Sequence, residues 1–158
     1  MSHRPDNPVQ QRLDLLAGFD LFQDLDRKEL VELDELLYRR VYEKDEIVFE
    51  EGAIGHGLYL IISGKIHANP RNPLLKSVVL EFGPGQVLGE LCLFEEGPRT
   101  ATAMALEPTA VAALFRAELL SITQKNKNIG VKVLFNLLRI LSQRARHLLL
   151  DESHVPSL

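Results

Sequence analysis

Arg99 follows Glu90 by nine positions in the stretch FGPGQVLGELCLFEEGPRTATAMA, Phe82 to Ala105. These two residue types suit the recognition of a sugar phosphate. An arginine fork presents parallel N–H donors that match two phosphate oxygens. A carboxylate repels phosphate but accepts hydrogen bonds from sugar hydroxyls. The backbone between them fits the same chemistry. Gly83 and Gly85 allow a tight turn after a strand, and Gly89 lets a ligand approach the main chain. Glu90 to Phe94 reads as one short helical turn whose leading N–H groups are free to face an anion. Together these features describe a pocket for a ribose with an attached phosphate. The alternative for the Glu90 and Arg99 pair taken alone is a salt bridge at a turn.

The elements that must position this stretch are short strands between helices. Pro8 to Ala17 reads as a helix stopped by Gly18, and Phe19 to Leu25 as a turn. Asp26 is the expected N-cap of a second helix, with Glu29 as its capping-box partner. From Tyr38 the pattern changes to β. A turn at Lys44–Asp45, an apolar strand Leu58–Ile62, a turn at Ser63–Gly64 and the runs SVVLEF, TATAMA and TAVAALF predict a small barrel or roll. Helical periodicity returns after Arg116, with a helix over 118–125, a break over 126–130, and a long helix from Val131 to Asp151. Val131, Leu134, Leu138, Leu141, Ala145 and Leu148 form a heptad stripe on it, widened by Val133, Leu137, Ile140 and Leu149. That apolar sector is broader than one docking face needs. The expectation is a helix that touches both its own β-domain and a second surface, most simply a second copy of itself.

Composition narrows the function classes. The chain has 158 residues, 46% hydrophobic, which suits one domain. One cysteine, Cys92, makes no internal disulfide and excludes cysteine-rich zinc and iron–sulfur sites. No apolar run reaches the ~18 residues of a membrane span, and MSHRPDNPVQ does not resemble a signal peptide, so a cytoplasmic setting is expected. Between Lys125 and His147 lie six of the 18 cations and none of the 22 acids. The rest of the chain is correspondingly acidic, and direct DNA binding is not expected. The five histidines (His3, His56, His67, His147, His154) show neither H-x-H nor H-E-x-x-H spacing, so no metal site is expected. There is no G-x-S-x-G elbow, no P-loop and no dinucleotide fingerprint. An enzyme is not expected, and no catalytic residue is assigned.

The segment LGELCLFEEGPRTATAMA resembles the phosphate-binding cassette of cyclic nucleotide-binding domains. That family includes the cAMP receptor protein, protein kinase A regulatory subunits, cGMP-dependent kinases and cyclic-nucleotide-gated channels. The pattern is filled by Leu88, Gly89, Glu90, Leu91, Cys92 and Leu93, then by Arg99, Thr100 and Ala101. Upstream, GAIGHGLYLIISG resembles a second family signature through Gly52, Gly55, Leu58–Ile61 and Gly64. The resemblance spans about residues 14 to 150. It implies a mainly β fold, a double-stranded β-helix or jelly-roll-like barrel with N-terminal helices and a long C-terminal helix serving as lid and dimer interface. It divides the chain into an extension (1–13), a cyclic nucleotide-binding domain (14–150) and a frayed tail (151–158).

The resemblance also assigns roles. Arg99 binds the cyclic phosphate, Glu90 accepts the ribose 2′-OH, and N–H groups near Leu91, Cys92 and Thr100–Ala101 hold phosphate oxygens. The ligand is cAMP or cGMP, with Thr100 keeping cGMP open, and no cofactor is implied. Cys92 stands where Ala, Gly or Ser is usual and reads as a buried, inert thiol. Glu95 and Glu96 are expected to face solvent. Leu138, Leu141 and Ser142 are candidates to cap the base. The implied function is a receptor whose lid helix shifts between open and closed positions on ligand binding and is read by a separate output protein. No helix-turn-helix, kinase, cyclase or channel module is legible after the lid helix. The alternative is a nucleotide-independent dimerisation or docking module on the same fold.

Overall fold

The N-terminal helices begin where side chains satisfy their free backbone donors. The computed structural model describes residues 7–71 and 80–150. Helix α1 (Pro8–Ala17) has proline at its first position and Asn7 as cap, its Oδ1 accepting from the Val9 N–H at 3.1 Å. Helix α2 (Arg27–Asp34) carries the expected capping box: Asp26 accepts from the Glu29 N–H and Glu29 from the Asp26 N–H, both at 2.9 Å. The turn between them contains a 3-10 segment, Asp20–Phe22, which buries Leu21 and Phe22 completely. Helix α1 runs through the boundary expected at residue 13, and Leu13 is buried in the main core. The frayed tail expected at 151–158, and residues 1–6 of the extension, lie outside the described residues.

Ten antiparallel strands follow. One sheet has the order β1 (Tyr38–Tyr42), β10 (Thr109–Phe115), β4 (Gly57–Ser63), β7 (Val87–Leu88). The other has the order β2 (Ile47–Phe49), β9 (Thr102–Ala105), β5 (Ile66–Asn69), β6 (Leu80–Phe82). A two-stranded ribbon pairs β3 (Ile54–Gly55) with β8 (Gly97–Pro98). The expected roll is therefore present. Of the expected strands SVVLEF and TATAMA, residues 77–79 fall outside the described residues, and Thr100–Ala101 form a bend rather than strand.

Two apolar cores explain the sequence texture. Ile61, Leu88 and Val111 of the first sheet pack with Ile66, Ala103 and Ala105 of the second. Leu58, Leu60, Ala112 and Leu114, on the opposite face of the first sheet, pack against the helices. The first sheet is thus covered on both faces. This is why its strands read as continuous apolar runs rather than alternating ones.

Helices α3 (Arg116–Lys125) and α4 (Lys127–Leu150) close the chain. The break between them is a single extended residue, Asn126, not the expected span 126–130, so α4 starts four residues before Val131. Gly130, read in the sequence as part of a breaker, is a packing contact. A Cβ there would come within 2.5 Å of the Thr123 side chain, so glycine is what lets α3 and α4 approach.

The first half of α4 is fastened to the N-terminal helices. Lys132 donates to Glu29 Oε2 at 2.8 Å, and this bond raises the lysine above its ordinary pKa. Buried Asn136 donates to the Leu21 carbonyl at 3.1 Å and accepts from Gln23 at 3.3 Å. Val133 and Leu137 are fully buried beside them. The broad apolar sector divides as expected between the core and a second face. The outer face is not the stripe read from the sequence, because Leu134 and Leu141 turn to the core. Val131, Phe135, Leu138 and Leu149 are the exposed residues of the outer face, at 53%, 65%, 58% and 82% exposure. Among the described residues no helix is long and apolar enough to cross a membrane.

Candidate functional site: the cavity under the C-terminal helix

The site is built where β7 ends. Gly89 adopts φ 79°, in the left-handed region, and the chain then enters a 3-10 turn over Glu90–Leu93. A side chain at Gly89 would be strained and its Cβ would collide with Arg99 Nη1. Gly55 in the β3 ribbon is equally constrained, since a Cβ there would lie 2.6 Å from Arg99 Nε. The glycines of both motifs therefore surround one guanidinium.

Arg99 is 6% exposed. Its Nη1 donates to the Gly89 carbonyl and its Nη2 to the Gly57 carbonyl, each at 2.9 Å. The guanidinium lies over the Phe49 ring, 4.3 Å from its centroid, with Tyr59 at 5.6 Å. Its backbone is also fixed, the N–H donating to the Ala53 carbonyl at 2.8 Å and the carbonyl accepting from Gly52 at 2.9 Å. No carboxylate pairs with it among the described residues. The expected alternative, a Glu90–Arg99 salt bridge at a turn, is not what forms. A buried cation without a counter-ion favours an anion beside it, and a guanidinium with two of its five N–H groups spent on carbonyls still has donors to give.

Glu90 pairs instead with Arg144 of α4, Nη1 to Oε1 at 2.6 Å. Arg144 also donates to the Val87 carbonyl and lies over the Phe82 ring. Gly89, Glu90, Leu91, Cys92, Arg99, Thr100 and Ala101 all line one cavity of about 820 Å³. That volume suits a small-molecule ligand. Leu91 is 56% exposed at its rim, whereas Cys92 is buried, its Sγ 3.8 Å from the Gly97 carbonyl. Glu95 and Glu96 are exposed as expected, and Glu96 pairs with Arg116 at 3.4 Å.

The roof of the cavity is the second half of α4, through Ile140, Leu141, Gln143, Arg144 and Leu148. Of the three candidates for capping a base, Leu141 lines the cavity, while Leu138 and Ser142 do not. Sequence reasoning missed Arg144, Phe49 and Tyr59 as members of this site. Arg144 did carry a signal, since it lies one helical turn after Ile140 and one before Leu148 on the same face.

Residues 39–126 match the family model of the cyclic nucleotide-binding domain. The chain belongs to that family. Among curated relatives it is 32% identical to the Cyclic AMP receptor protein of Thermus thermophilus, over 83% of this chain and 59% of that protein. It is 31% identical to the CRP-like cAMP-activated global transcriptional regulator of Mycobacterium tuberculosis, over 84% of this chain and 58% of that protein. The chain thus spans less than two thirds of the length of these relatives. The solved structure of Thermus thermophilus Catabolite Activator Protein superposes with a TM-score of 0.73 at 32% identity, covering 84% of this chain and 61% of that one. A cyclic nucleotide-binding domain from Methylobacillus flagellatus superposes at 0.75 over 92% of both chains with 23% identity, a likeness of fold.

Proposed function

We propose that this chain is a cyclic nucleotide receptor in which Arg99 holds the cyclic phosphate and Glu90 accepts the ribose 2′-OH. One observation carries the reading: the Arg99 guanidinium is buried against the cavity with no carboxylate partner among the described residues. N–H groups of Leu91, Cys92, Thr100 and Ala101 are the further phosphate donors in this reading. The nucleotide-binding unit is the span 14–150, with α1 packed onto it. Binding favours the position of α4 that closes the cavity, and the extent of the shift follows from the difference in affinity between the two positions. The regulated partner is a separate protein or a segment beyond this chain. cAMP is the first expected ligand, because both quoted relatives bear cAMP in their names. Thr100 lines the cavity and keeps cGMP as the second.

Calorimetric titration with cAMP and with cGMP tests this reading. Saturable one-site heat with at least one nucleotide is the expected result, and the tighter one identifies the ligand. No heat and no thermal shift with either would overturn it. One observation favours the nucleotide-independent docking module in that event. Arg99 already makes two carbonyl hydrogen bonds and an aromatic stack of its own, which a purely structural arginine would also make.

We further propose a homodimer through the outer face of α4. Val131, Phe135 and Leu138 recur at four and three residues, the spacing of a two-helix seam. Light scattering at increasing concentration is expected to give twice the 17.8 kDa chain mass. Phe135→Glu is expected to return the mass to that of the monomer, and a parent mass that stays monomeric sinks the proposal.

A further inference from the structure

We infer that Arg144 is a positioning residue that sets selectivity for ribose over 2′-deoxyribose. The inference rests on the receptor reading of the Glu90 and Arg99 cavity. Arg144 projects from α4 and makes three contacts from one guanidinium: Nη1 to Glu90 Oε1 at 2.6 Å, Nη2 to the Val87 carbonyl, and a stack 5.4 Å from the centroid of Phe82. Val87 belongs to one sheet and Phe82 to the other, so the guanidinium is fixed from both sides. The Glu90 side chain that it holds is 11% exposed.

A carboxylate pinned through one oxygen has lost its freedom to rotate. Glu90 Oε1 is engaged, and Oε2 accepts no hydrogen bond among the described residues. Glu90 itself lines the cavity. The protein therefore offers the ligand one aimed acceptor, with its counter-charge supplied from α4 rather than from the ligand. A hydroxyl donor gains from that acceptor, and a hydrogen in its place does not. The fork geometry matters as well as the charge, because the two nitrogens span a carboxylate and a carbonyl that a single ammonium cannot span in the same way.

The test compares cAMP with 2′-deoxy-cAMP by calorimetry on the parent, Arg144→Ala and Arg144→Lys, with thermal unfolding recorded for each. The parent is expected to prefer cAMP by roughly 10-fold or more, the size of a hydrogen bond to a charged group. Arg144→Ala is expected to reduce that preference to about 3-fold or less, mainly by weakening cAMP. Arg144→Lys is expected to fall between. If both nucleotides weaken or tighten equally, the ratio is unchanged, Arg144 acts only on lid placement, and the inference is overturned. If Arg144→Ala does not fold, an unchanged ratio in Arg144→Lys overturns it. If the parent binds neither nucleotide, the receptor reading fails and this inference falls with it. Parent binding with an unchanged ratio removes this inference alone.

Discussion

Arg99→Ala is expected to lower cyclic nucleotide affinity by roughly 30-fold to a few thousand-fold, the ~2–5 kcal/mol cost of truncating one partner of a buried charge pair. The loss has two parts. The phosphate loses a fork of donors, and the carbonyls of Gly89 and Gly57 lose theirs. The second part also acts without ligand, so the variant is expected to unfold at a somewhat lower temperature. Arg99→Lys separates the contributions. It keeps the charge, yet it cannot reach two carbonyls and a phosphate at once or lie flat over Phe49. Affinity close to that of alanine would assign the effect to geometry; affinity close to that of the parent would assign it to charge alone. Titration of both variants beside the parent is the measurement. Parent-like binding in Arg99→Ala would contradict the assigned phosphate site.

The second large effect is on stability. Leu137 is fully buried in the core shared by the helices and the first sheet. Leu137→Ala is expected to cost about 2–5 kcal/mol through lost burial and the cavity left behind. For a domain of this size that corresponds to a fall in Tm of roughly 4–20 °C. The neighbouring Asn136 and Lys132 contacts limit how far α4 can move to fill the space, which places the expectation toward the upper part of that range. Thermal or urea unfolding monitored by circular dichroism checks it. A loss below about 1 kcal/mol would mean that α4 is not seated on the core in solution.

The cassette was legible because its constraints are local. Gly89 needs a left-handed backbone, Glu90 begins a tight turn and Arg99 follows a proline, all within a dozen residues. The roll was legible for a similar reason, since turn residues at Lys44–Asp45, Ser63–Gly64 and Gly83–Gly85 punctuate the apolar runs. The partners of the charged groups were not legible. Glu90 and Arg144 lie 54 residues apart and meet only because α4 folds back over β7. The aromatic floor under Arg99 joins β2 to β4, an arrangement no local period encodes. Gly130 misled because a glycine that permits close helix packing has the same identity as one that ends a helix. The heptad stripe was misassigned by one residue because α4 is apolar over so wide a sector that Leu134 and Phe135 both fit a period near 3.5.

The unequal fastening of α4 gives it mechanical leverage. Its fulcrum lies at Lys132 and Asn136, where hydrogen bonds tie it to the N-terminal helices. From Asn136 to Leu149 the helix extends ~20 Å at 1.5 Å per residue. A tilt of about 10° at the fulcrum leaves Val131 nearly still and carries Leu149 through ~3 Å, the difference between a packed side chain and a separated one. A partner that reads the far end of this arm receives an amplified displacement, and one that reads the near end receives almost none.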